Sequence, residues 1–152
     1  FSNFTIVGTT SLTDLGDRQL SLTHALDSDG ISGGAHFFFN VDESNTSGTL
    51  DLCLKYQDET EVLTEETDGV LLEGTWFAID DKRLIITLES AINVALISKG
   101  VESNRAKYSL SYGGESLTWL SNNSTGLLGR DDAGFVSELP ATNDECATLL
   151  TR

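Results

Sequence analysis

Two histidines, two cysteines and 24 carboxylates are the side chains with which this 152-residue chain could do chemistry. A nucleophile needs a Ser or Cys held beside a base. His24 ends one apparent strand and His36 sits inside another, no Gly-x-Ser-x-Gly turn is present, and neither histidine has a partner motif. A catalytic or structural zinc needs clustered ligands at fixed spacing, and the chain has no His-Glu-x-x-His and no Cys-x-x-Cys. Gly33-Gly34 precedes a strand instead of opening a helix, so it does not make a phosphate cradle. Asp27-Ser-Asp29-Gly30, followed by Ser32, resembles the start of an oxygen-rich ion loop. Asp27 and Asp29 are therefore the candidate calcium ligands, but the later bidentate Glu is missing and a solvated turn is the default. Paired carboxylates for glycoside hydrolysis can always be imagined among so many acids, so they carry no argument. The expectation is a non-enzymatic protein without a cofactor.

The two cysteines have no other partner in an oxidising compartment, so Cys53 and Cys146 should form a disulfide. Asp144 and Glu145 flank Cys146 and disfavour the thiolate that a reactive cysteine needs. The link closes a loop of about 90 residues, worth roughly 4 kcal/mol in the chain-entropy account. It staples a C-terminal tail to the outside of a sheet.

The charge is −15 at pH 7, from 24 acids against 9 bases. Such a surface repels phosphate backbones and anionic lipid heads, which argues against nucleic-acid partners. No run approaches the ~18 apolar residues of a membrane span, so no membrane insertion is expected. Methionine is absent and the chain opens on Phe1, which reads as the mature form left by a cleaved signal peptide. Ser and Thr make up about a fifth of the residues. Sequons at Asn3, Asn45, Asn122 and Asn123 are candidates for glycosylation. Together these features place the protein in the extracellular space or on the cell surface.

Period-2 alternation recurs along the chain. Leu50, Leu52, Leu54 and Tyr56 line one face of a strand over 49–56, with Asp51, Cys53 and Lys55 on a wet face. Similar patterns mark 3–7, 19–24, 35–41, 70–79, 83–89, 106–112, 115–120 and 134–139. Asp80-Asp81 and Gly113-Gly114 join two hairpins. Residues 90–99 fit a helix or a strand, with the helix slightly favoured. Thr142-Asn-Asp-Glu145 is a capping-box start for a C-terminal helix. No linker divides residues 1–152, so one domain is expected. The fold class is mainly β: a single-domain antiparallel β-sandwich or jelly roll, or alternatively a β-barrel, with one or two short helices.

Gly74-Thr-Trp76, followed by a hairpin, resembles the Gly-x-Trp of lipocalins, and a mid-chain cysteine bridged to a C-terminal one is similar to that family as well. That family places the motif on its first strand. Here it follows Cys53 and leaves too little chain for the remaining strands of such a barrel. Phe38–Leu52 resembles a stretch near the mature N-terminus of secreted biofilm fibre proteins of the TasA and camelysin type, although here more than thirty residues precede it.

Two functions follow as expectations. The first is a self-assembling cell-surface or filament subunit that associates with itself or with other surface proteins. Residues 1–12 would act as an exchangeable N-terminal strand that completes a neighbour's sheet. The alternative is an extracellular, lipocalin-like binding module for a small apolar ligand or glycan. Phe37, Phe39, Trp76, Phe77, Tyr108, Tyr112 and Trp119 would line its site.

Overall fold

Alternation decides which residues go inside. Each strand carries an apolar set on one face, and closing the sheet on itself buries that set. The computed structural model describes residues 18–24, 31–40, 46–58, 67–80, 82–88, 93–102, 105–112, 115–121, 126–132 and 134–150. The N-terminal segment with its strand over 3–7, the candidate ion loop at Asp27 and Asp29, and all four sequons (Asn3, Asn45, Asn122, Asn123) lie outside the described residues.

Nine strands and one helix follow in order: β1 Gln19–His24, β2 Ile31–Phe39, β3 Ser47–Asp58, β4 Thr67–Asp80, β5 Arg83–Leu88, β6 Asn93–Glu102, β7 Arg105–Tyr112, β8 Glu115–Ser121, β9 Leu127–Leu128 and α1 Asn143–Leu150. Each of β1 to β7 pairs antiparallel with the next. β8 returns to β1 through Leu22 opposite Ser121 and Thr23 opposite Leu120, which closes an eight-stranded up-and-down barrel. β9 continues that seam along β1, with Gln19 opposite Leu128. The barrel alternative is thus realised. A sandwich divides its strands between two packed sheets, whereas here each step from β1 to β8 joins neighbouring antiparallel strands of one closed sheet.

The register gathers one core. Leu20, Phe37, Leu52 and Leu72 lie side by side across β1–β4. Leu20, Phe37 and Leu52 join Phe39, Leu50, Trp76, Leu84, Ile86, Leu96, Tyr108 and Trp119 in a single buried cluster, and Leu72 packs against it. Fully burying a side chain of this size contributes about 1.5–3 kcal/mol. The ring of Phe39 meets Trp76 edge-on at 6.1 Å and stacks on Phe37 at 5.8 Å.

The segment favoured as a helix over 90–99 is a strand from Asn93 onward. Leu96 points into the barrel, Ala95 and Ile97 are half-buried, and hydrogen-bonded neighbours on both sides override the local helical pattern. The strand expected over 134–139 is irregular chain. The C-terminal helix forms where the capping box places it. The amide of Glu145 donates to the Thr142 hydroxyl at 3.1 Å, and Glu145 Oε1 accepts from that hydroxyl and from the Ala141 amide. Among the described residues no helix is long and apolar enough to cross a membrane.

Candidate functional site: the barrel interior and its C-terminal cover

The strand connections fall at the two ends of the barrel. At one end β4 turns into β5. The Asp80 carboxylate accepts from the Lys82 amide at 2.8 Å and from Arg83 Nε at 2.9 Å. Those bonds, led by that from Arg83, hold the Asp80 carboxyl below its ordinary range. Nearby, Trp76 Nε1 donates to the Asn40 carbonyl at 2.7 Å, so the indole is fixed at the base of the core.

At the other end β3 leads to β4 and β7 leads to β8. The inward side chains there, Leu54, Leu72 and Leu110, are only partly buried. Tyr108 lies one inward position deeper than Leu110, opposite Trp119 in the β7–β8 ladder. Trp119 reaches across to β2: a Cβ on Gly33 would stand 3.1 Å from its ring and, closer still, against the Lys55 carbonyl. Tyr108 is fully buried, and its hydroxyl has no hydrogen-bond partner among the described residues. Burial pushes the ionisation of that phenol far above the ordinary tyrosine range. An unmade hydrogen bond of this kind costs about 1–3 kcal/mol.

The outside of β1–β4 carries a second, smaller core. Phe38, Cys53 and Cys146 are buried there, with Leu71, Val136, Leu149 and Leu150 packed against them. Cys53 and Cys146 are joined by the expected disulfide, with Cα atoms 5.2 Å apart. The face of β3 that looks wet in the sequence is therefore covered. Cys53 is fully buried, and partial burial raises the pKa of its neighbour Asp51. β4 runs beyond the end of β5, and α1 covers this overhang. There the Leu71 amide donates to Asn143 Oδ1 at 2.9 Å. Gly69 has φ +150°, and a Cβ on it would stand 2.5 Å from Ala147 Cα, so only glycine lets the helix come this close.

Gln19 and His36 tie the cover to the barrel. Gln19 Nε2 donates to the Val136 carbonyl at 2.7 Å, and its Oε1 accepts from the Val136 amide at 2.9 Å. Those two bonds fix the amide's orientation, so His36 Nε2, 2.7 Å from Oε1, must carry a proton and donate. The His36 ring also lies on Phe38, with centroids 4.6 Å apart. His36 is thus a buried bracing residue. The side chain of His24 lies outside the described residues.

Of the aromatics expected to line a site, Phe37, Phe39, Trp76, Tyr108 and Trp119 do face the interior. Phe77 points outward and is 57% exposed, and the side chain of Tyr112 lies outside the described residues. Gln19 and Asn143 gave no signal in the sequence, because a polar residue at a strand start or in a first helical turn is ordinary. No group of three or more metal-ligating side chains occurs among the described residues. No protein-family model matches the chain, and neither does a curated protein or a solved structure.

Proposed function

We propose that this protein is a non-enzymatic extracellular binding module whose barrel takes up a small, mostly apolar ligand carrying one hydrogen-bonding group. The observation that carries this reading is the Tyr108 hydroxyl, which is buried among apolar side chains without a partner among the described residues. A ligand oxygen entering past Leu54, Leu72 and Leu110 would supply the missing bond. An eight-stranded barrel has an interior of the right width for side chains alone or for one small ligand. The up-and-down architecture is also that of lipocalins, the family that Gly74-Thr-Trp76 resembles. The buried disulfide supports an oxidising compartment outside the cytoplasm.

The strand-complementation reading has less support. A closed barrel offers no long free edge to an incoming strand, and residues 1–12 lie outside the described residues. Native mass spectrometry of the protein purified from its source tests the ligand reading. The expected result is a retained small molecule that denaturation releases. A bare polypeptide mass, together with no uptake of neutral apolar probes, would defeat it.

A further inference from the structure

The outer face of β4–β6 is an apolar surface on an acidic molecule. Phe77 stands opposite Ile85, which stands opposite Ala95, and Ile97 stands opposite Arg83 in the next row. Phe77 is 57% exposed and Ile79 48% exposed, while Ile85 and Ile97 are half-buried. Among the described residues the charges beside this patch are Lys82, Arg83 and Lys99, all exposed, and Asp80, which pairs with Arg83. A contiguous apolar patch of this kind on a soluble protein marks an interaction surface.

The C-terminal cover carries the complement. An open groove of about 390 Å³ has a floor of Val136, Pro140 and Leu149 and a rim of Glu138, Asp144 and Glu145. Leu139 stands beside it, 53% exposed. This groove belongs to the cover over β2–β4, whereas the patch spans the outer face of β4–β6, so the two are distinct surfaces of one molecule.

We infer that the occupant of the patch is a second copy of this chain, seated through its acidic groove. The charges decide the arrangement. Copies with a net charge of −15 repel one another. A patch-to-patch contact would bring like cations together, and a groove-to-groove contact would bring like acids together. Only patch-to-groove contact brings Lys82 and Lys99 to Glu138, Asp144 and Glu145 while burying Phe77 and Ile79 against apolar side chains. Such a contact is heterologous. Where each copy gives its patch to one neighbour and its groove to another, one patch and one groove stay open, and the assembly grows past the dimer as an open chain or a closed ring. This inference is independent of any ligand in the barrel, and it needs no strand exchange.

Two variants of the full chain test it. Phe77→Glu spoils the patch, and Glu138→Lys combined with Leu139→Lys spoils the groove. All three positions are exposed, so both variants keep the core, as circular dichroism and melting temperature would verify. In sedimentation velocity the unmodified protein should grow past the dimer as its concentration rises. Each variant alone should stay monomeric at the same concentrations. An equimolar mixture of the two should form dimers and nothing larger, because one intact patch meets one intact groove. A mixture that stays monomeric would overturn the inference. So would an unmodified protein that remains monomeric at millimolar concentration or stops at the dimer, or a variant that still self-associates.

Discussion

Gln19 and Val136, 117 residues apart in sequence, are joined by two hydrogen bonds through the glutamine amide. The side chain of β1 thereby pairs with the C-terminal segment as a neighbouring strand would. It replaces the ladder that the sequence pattern over 134–139 suggests. The same amide oxygen receives His36.

Gln19→Ala should therefore cost more than one hydrogen bond. It leaves the Val136 amide and carbonyl and the His36 donor without their partner in a buried place. The expected loss is about 2–4 kcal/mol, from the ~1–3 kcal/mol cost of each buried group left unsatisfied and partial access of water to the others. Urea denaturation measures it. A loss below about 0.5 kcal/mol would show that the segment is held by the disulfide and apolar contacts alone.

Replacing both cysteines by serine should lower stability by up to about 4 kcal/mol, since the bridge closes a long loop. The bridge spans 93 residues. The helix should loosen first, because Cys146 anchors it. Hydrogen exchange should then show lost protection at the Leu71 amide, which Asn143 now covers. Unchanged protection there would mean that Leu149 and Leu150 dock the helix without the bridge.

Thr142→Ala removes the side-chain acceptor at the start of α1. A loss of about 1 kcal/mol is expected. Thr142→Ser should recover most of it, because the hydroxyl is what the Glu145 amide uses. Equal losses in both variants would point to the methyl group instead.

Tyr108 should make the fold less stable at alkaline pH. Its folded-state pKa is raised, because burial penalises the phenolate. The contribution is complete below the unfolded-state pKa of about 10 and falls as pH rises above it, since the unfolded chain releases that proton first. At about pH 11 the tyrosinate absorbance of the folded protein should lack the Tyr108 contribution, and unfolding should release it. Tyr108→Phe should remove both the delayed ionisation and this slope. A tyrosine that ionises normally in the folded state would show that its hydroxyl reaches water.

Much of the barrel was legible in the sequence, because each strand writes its buried face as a period of two. The alternation of Leu50, Leu52 and Leu54, and of Tyr108 with Leu110, needs only local reading. Closure was not legible, since it depends on β8 meeting β1 across nearly the whole chain. This is why Gly74-Thr-Trp76 looks too late for a barrel: the barrel is already half built by β4. Residues 90–99 misled because apolar spacing there fits two periods, and only the pairing of β6 with β5 and β7 chooses. At the candidate site, Cys53–Cys146 followed from chemistry alone. The orphan Tyr108 hydroxyl did not, because whether a phenol finds a partner is a property of packing.

The most direct test compares two ligands that differ by one hydroxyl. Decan-1-ol and decane would each displace the neutral fluorophore N-phenyl-1-naphthylamine from the purified protein and from Tyr108→Phe. The account predicts saturable one-site binding, with the alcohol preferred roughly tenfold by the unmodified protein, equivalent to one buried hydrogen bond of about 1.4 kcal/mol. Tyr108→Phe should abolish that preference while still binding decane. No saturable binding, or the same preference in both proteins, would contradict it.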